Sequence, residues 1–247
     1  MLVAEVGLNH LGDNSLLKKY IDAVRPCVDG ISIQILSDEF FKNKVFSKFK
    51  LSKESIINFI KYSHDKGLKV GLVINDESIV DNFKSELVSF YKILSGDYNN
   101  INLFKEIAKT ECDSIYISTG LSGYDELDKI IPILVKHDNR VKLIHTQLSN
   151  EIQDVNLMAI KKMRERFKLP VAYGHHCIHE EVLYTSVGML PESIFFYIKG
   201  EEENNYPDKL HALSINKIQL VTENLKKVKI SVGDGTKISM KNNLRKN

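Results

Sequence analysis

Two adjacent histidines, His175 and His176, stand where an apolar run over 170–173 breaks off in Tyr173-Gly174. An imidazole can act near neutral pH as a base, a proton donor or a metal ligand. Successive strand side chains face opposite ways, so only one of the two rings can look into a shared pocket. Taken alone, the pair fits a turn with two solvated rings as well as it fits a site. Glu5 is a second chemical group, set between Ala4 and Val6 in an apolar stretch. A carboxylate buried there without a partner is costly, and Lys92 and Lys199, at the ends of two other apolar runs, can supply one. Otherwise Glu5 belongs to an internal ion pair that only shapes the fold. Ser118-Thr119-Gly120 ends a further run. It offers hydroxyl and backbone N–H donors to a carboxylate or phosphate, because glycine lets the main chain approach an anion closely. With two lysines at the same mouth, these donors favour a small anionic substrate.

Positioning these groups requires short strands that end at one face. Apolar runs over 2–6, 30–35, 68–74, 89–94, 114–118, 141–146, 170–173 and 193–198 alternate with segments of helical period. Ser52 reads as the N-cap of one helix, which Gly67 ends, and Ser214 as the N-cap of the last helix, 215–228. Eight strand-then-helix units predict a single-domain (β/α)8 TIM barrel over 1–228, followed by a basic tail, 229–247. An open doubly wound sheet rarely needs eight repeats, and no G-x-G-x-x-G follows the first strand. In a barrel the C-terminal strand ends line the active site. That gathers Glu5, Gln34, Lys92, Ser95, Asp97, Ser118, Thr119, His145, His176 and Lys199. The insert 38–50 carries Phe40, Phe41, Phe46 and Phe49, which suits a packed flap or a subunit contact.

Composition excludes other classes. The net charge of +2, with 27% of the 247 residues charged, gives no footprint for nucleic acid. Cys27, Cys112 and Cys177 are far apart and suit reduced thiols in a cytoplasm. The N-terminus reaches an acid at Glu5, too soon for a signal peptide. No apolar run approaches the ~18 residues of a membrane helix. H-E-x-x-H, Walker A and G-x-S-x-G motifs are absent from the sequence.

Several stretches together resemble the sialic acid synthase family: Ala4-Glu5-Val6-Gly7-Leu8-Asn9-His10-Leu11-Gly12-Asp13, Lys92-Ile93-Leu94-Ser95-Gly96-Asp97, Ile117-Ser118-Thr119-Gly120-Leu121, Leu169-Pro170-Val171-Ala172-Tyr173-Gly174-His175-His176 and His211-Ala212-Leu213-Ser214. The resemblance runs almost the whole length of the chain in order. It implies condensation of phosphoenolpyruvate with an N-acetylated hexose to a 2-keto-3-deoxy sugar acid, in a homodimer. It implies that Glu5, Lys92, Asp97 and Ser118 hold the phosphoenolpyruvate and surround the reacting carbons. Gln34 matches a substrate-facing glutamine, with Ser95, Thr119 and His211 as further substrate contacts. His176 matches a ligand of manganese or magnesium, which in the family polarises the sugar carbonyl.

The departures are equally specific. A lysine expected on the second strand is Ser32, and an aspartate expected before His211 is Leu210. Where the family has Glu-Lys-His on strand eight, this chain has Tyr197-Ile198-Lys199, so the acid and the second metal histidine are replaced. A tight metal site then needs His175, His145 or His211 to substitute. Lys199 in the metal's place would restore positive charge or form a Schiff base beside Lys92; a rim lysine paired with Glu201 or Glu202 is the alternative. No counterpart is expected for the family's N-terminal hairpin or its antifreeze-like domain. Two readings stay open: a barrel-only synthase or aldolase, and a non-catalytic paralogue serving the same surface-glycan pathway. Lys199 turned away from the mouth, with Glu5 sealed in an internal pair, would favour the second.

Overall fold

In a computed structural model, residues 1–200 and 204–237 are described. The chain runs β1 (Leu2–Glu5), α1 (Asn14–Val24), β2 (Gly30–Ile35), α2 (Asp38–Phe41), α3 (Lys53–Asp65), β3 (Lys69–Ile74), α4 (Glu77–Phe83) and β4 (Phe90–Ile93). It continues through α5 (Ile101–Ala108), β5 (Ser114–Ser118), α6 (Tyr124–His137), β6 (Val141–Thr146), α7 (Met158–Phe167), β7 (Val171–His175), α8 (Glu181–Val187) and β8 (Ile194–Lys199). A two-residue strand, β9 (Leu213–Ser214), and α9 (Ile218–Val232) complete it. Strands β1 to β8 are parallel neighbours in sequence order, and β1 also pairs β8. The ring is closed: a (β/α)8 barrel, as the alternation predicts.

Parallel strands buried on both faces read as continuous apolar runs, which is why the eight runs mark the strands so well. Side chains facing outward from the strands form one large core with the helices. Those facing inward stack in layers. The lower layer is apolar: Val3, Phe90, Tyr116, Ile144, Ala172 and Phe195. Its three rings meet edge to face, Tyr116 and Phe195 at 4.9 Å and Phe90 and Tyr116 at 5.6 Å. Gly71 makes room for them, since a Cβ there would lie 2.0 Å from the Phe90 ring. Two residues further along six of the strands come Glu5, Lys92, Ser118, Thr146, Gly174 and Tyr197. The strand period of two thus places a polar layer directly on a dry floor.

Helix starts follow the expected chemistry in part. The Ser52 hydroxyl accepts the Ser55 N–H at the start of α3, and Asp13 caps α1 by accepting the Ser15 N–H. Ser214 does not cap α9. It is drawn into β9, where it pairs with Lys199, and the helix starts four residues later at Ile218. At its other end α9 continues to Val232, into the stretch read as a tail, and the residues after 237 lie outside those described. The aromatic insert folds back as a flap: Phe41 and Phe49 are buried with Leu8 and Leu36, and Phe40 and Phe46 lie against them. Its aromatics pack within the chain.

Candidate active site

The centre of the mouth is an ion pair. Lys92 reaches from β4 to Glu5 on β1, with Nζ 2.6 Å from Oε1 and side chains 3% and 2% exposed. The Lys92 ammonium also lies 5.5 Å from the centre of the Phe195 ring below. This pairing resolves the cost of an acid inside β1, but only for one oxygen. Glu5 Oε2 is buried with no hydrogen-bond partner, and so is the hydroxyl of Ser32, the residue beside Glu5 in the β1–β2 ladder. Each buried polar atom left without a partner costs about 1–3 kcal/mol. Two such atoms on neighbouring residues are polar groups that a bound molecule would satisfy.

Ser95 and Ser118 flank the pair from the β4 and β5 sides. Their hydroxyls are 2.9 Å apart, and Ser95 Oγ accepts the Gly120 N–H at 3.1 Å. Gly120 is required here, since a Cβ would come within 2.9 Å of Thr146 and 3.0 Å of Ser95. Across the mouth lies a cluster of rings. His176 and His211 are 4.8 Å apart, with Tyr197 at 5.4 Å from His176 and 4.9 Å from His211. Thr146 Oγ1 is 2.7 Å from His176 Nδ1 and fixes that ring. Burial, helped at His176 by His211 and Lys92 and at His211 by Lys92, holds both imidazoles neutral: His176 is pushed down to about 3 and His211 to about 4. His211 Nε2 is the third unpartnered buried atom of the mouth.

Some contributors were not expected from the sequence. Asp208, in the loop after β8, brings its carboxyl against Gly7 and Tyr197: a Cβ on Gly7 would lie 2.8 Å from Asp208 Oδ2 and 2.7 Å from the Tyr197 ring. Burial, and the Glu5 charge after it, raise Asp208 to about 6. Asn9 holds this loop, accepting the Asp208 N–H at 3.0 Å and donating to the Ile198 carbonyl at 2.8 Å. Local sequence carried no signal for Asp208, whose place is set by Asn9 from far along the chain.

Other expected residues fall elsewhere. Lys199 leaves the mouth. Its strand pairs with β9, and its ammonium donates to the Lys209 carbonyl at 2.9 Å on the exposed rim. The proposed pairing with Glu201 or Glu202 involves residues outside those described. The Thr119 hydroxyl and N–H both donate to the Ile144 carbonyl, at 2.9 and 3.1 Å. Of the two histidines, His176 faces inward, while His175 packs outward with Nδ1 3.2 Å from the Tyr173 hydroxyl. Gln34 lines a cavity of about 350 Å³ shared with His10 and the flap residues Phe41 and Phe49. Asp97 sits half-buried in the turn after β4, and that burial raises its pKa. Among the described residues no three His, Cys, Asp or Glu side chains are disposed to hold a metal ion. Of the residues expected at the manganese or magnesium, His176 faces the mouth with Nδ1 held by Thr146, a contact that orients its other ring nitrogen, and Lys199 lies on the rim.

A closed barrel whose mouth combines a buried Glu–Lys pair, two serines and two neutral histidines is an architecture for handling small polar molecules. The NeuB family model matches residues 34–237, and the chain belongs to that family. An uncharacterized protein of Methanocaldococcus jannaschii is 29% identical, over 97% of this chain and 74% of its own. The N,N'-diacetyllegionaminic acid synthase of Campylobacter jejuni is 24% identical, over 98% of this chain and 80% of its own. Among solved structures, the sialic acid synthetase of Leptospira borgpetersenii, in complex with citrate, superposes with a TM-score of 0.89 at 21% identity, covering 98% of this chain and 87% of that one. No helix among the described residues is long and apolar enough to cross a membrane.

Proposed function

We propose that the chain condenses an enolpyruvyl donor, phosphoenolpyruvate, with a sugar aldehyde to give a 2-keto-3-deoxy sugar acid. The observation that carries this reading is the unfinished hydrogen bonding around the ion pair. Lys92 is the cation for the donor's carboxylate, and the Ser32 hydroxyl, Glu5 Oε2 and His211 Nε2 are unpartnered in the same mouth. Ser95 and Ser118 supply hydroxyls beside them. In the reaction the donor's terminal enol carbon bonds to the aldehyde carbon, water adds at the neighbouring carbon, and phosphate leaves. The chain's residues bind and orient the two molecules over a dry floor, where charge interactions are strong.

The test uses the full chain. Phosphoenolpyruvate should raise the melting temperature; a ligand at a hundred times its Kd contributes about 2.7 kcal/mol. With N-acetylmannosamine as the probe acceptor, with and without manganese, thiobarbiturate should detect a 2-keto-3-deoxy acid in step with released phosphate. Neither a shift nor product at millimolar ligand overturns the proposal. A second reading, a non-catalytic paralogue that binds the same molecules, is favoured by Lys199 lying on the rim together with Glu5 buried in a pair with Lys92. It requires the melting shift without product.

A further inference from the structure

Strand β8 presents a tyrosine, Tyr197, to the polar layer, directly beside Glu5 in the β1–β8 ladder. No carboxylate of that strand faces the mouth. The loop beyond it brings one back: Asp208 lies against the Tyr197 ring and over Gly7. The approach is built with some care. Gly7 has φ +55, and any Cβ there would strike both side chains. Asn9 grips the loop from both sides, and the Leu8 N–H donates to the Asp208 carboxylate. The charged groups facing Asp208 are Glu5 from β1 and Lys92 from β4, and the Tyr197 ring from β8 lies against it.

We propose that Asp208 is the catalytic acid of this mouth, protonating the acceptor's aldehyde oxygen as the carbon–carbon bond forms. The proposal rests on the synthase reading above. As the donor's π pair makes the new bond, the aldehyde C=O pair moves onto oxygen and takes the proton from the Asp208 carboxyl. Water then adds its oxygen to the former enol carbon, and the proton it loses returns to the Asp208 carboxylate. The resulting hydroxyl collapses to the ketone, its proton leaving with phosphate as the C–O bond to phosphate breaks. Overall, donor, aldehyde and water give keto acid and phosphate. The histidines are poor candidates for the proton, since burial holds His176 and His211 neutral, and burial drives the Tyr197 hydroxyl far above its ordinary range. Asp208, raised to about 6, keeps a proton available close to neutral pH.

The experiment compares wild type, Asp208→Asn and Asp208→Glu, reading product formation from phosphoenolpyruvate and N-acetylmannosamine between pH 5 and 8. Melting curves and the phosphoenolpyruvate-induced shift serve as folding and binding controls. General acid catalysis contributes roughly 100- to 10,000-fold. Asp208→Asn should therefore lose about 100-fold or more in kcat, keep the donor-induced shift, and lose the decline in rate that wild type shows as pH rises through about 6. Asp208→Glu should recover part of the rate and restore that decline. A wild type that makes product while Asp208→Asn stays within threefold, or keeps the same pH profile, overturns the proposal alone. A wild type that makes no product at any pH overturns it together with the synthase reading.

Discussion

The Glu5–Lys92 pair should be a liability for stability that the fold tolerates. Its charges are 2% and 3% exposed, they meet at a single contact of 2.6 Å, and the second carboxylate oxygen has no partner. Removing water from two charges costs several kcal/mol each, and one contact recovers that only incompletely. Lys92→Met leaves a buried carboxylate with both oxygens unpaired, and should destabilise by about 3–5 kcal/mol. Glu5→Leu leaves the ammonium with the Phe195 ring 5.5 Å away, a contact worth up to about 2 kcal/mol when desolvated, so its cost should fall at the lower end. The double change Glu5→Leu with Lys92→Met removes both charges onto an apolar floor and should lie within about 1 kcal/mol of wild type, or above it. The coupling from this double-mutant cycle is then about 5–8 kcal/mol. Urea unfolding followed by circular dichroism measures all four proteins. The double protein should also lose its response to phosphoenolpyruvate. If it is as unstable as the single changes, the pair is a structural brace and the argument from unfinished hydrogen bonding fails.

Acid should unfold this protein early. His10 and His175 are each 1% exposed, and burial lowers them to about 4 and about 3, so the unfolded chain binds protons from about pH 6.5 downward that the native one refuses. Each should cost about 2 kcal/mol at pH 5, with Asp208, whose raised pKa acts in the opposite sense, offsetting part of it; a urea midpoint unchanged between pH 7 and pH 5 would contradict this. Lys199→Ala removes an exposed contact to the Lys209 carbonyl and should change stability by no more than about 0.5 kcal/mol, leaving the phosphoenolpyruvate shift intact. Borohydride with pyruvate should leave no adduct on Lys199, and a trapped adduct there by mass spectrometry would put its amine back in the mouth.

The strands were legible because each is buried on both faces and so is written as an unbroken apolar run. Their inward residues followed from counting in twos, which brings Glu5, Lys92 and Ser118 together. The same count points Lys199 inward, and it fails because β8 is extended by pairing with β9, which carries the strand end out to the Lys209 carbonyl. Thr119 looked like a donor because hydroxyl type is visible in sequence and direction is not; the nearest acceptor is the Ile144 carbonyl. Asp208 was invisible for another reason. Its place depends on a loop held by Asn9 from 199 residues away in the chain, and no local pattern encodes such a contact. Ser214 shows a local preference overridden, since a good capping residue is captured by a strand instead.

The seam between β1 and β8 joins Leu2 to Ile194 and Glu5 to Tyr197. The whole stretch from β1 to β8 must therefore leave the ribosome before the first strand finds its second neighbour. Until then β1 and β7 are bare edges, open to pairing with other molecules. Long-range closure of this kind is slow. The protein gains its mouth and its protection against aggregation in a single late event, because the same seam sets Tyr197 beside Glu5 and seals the sheet.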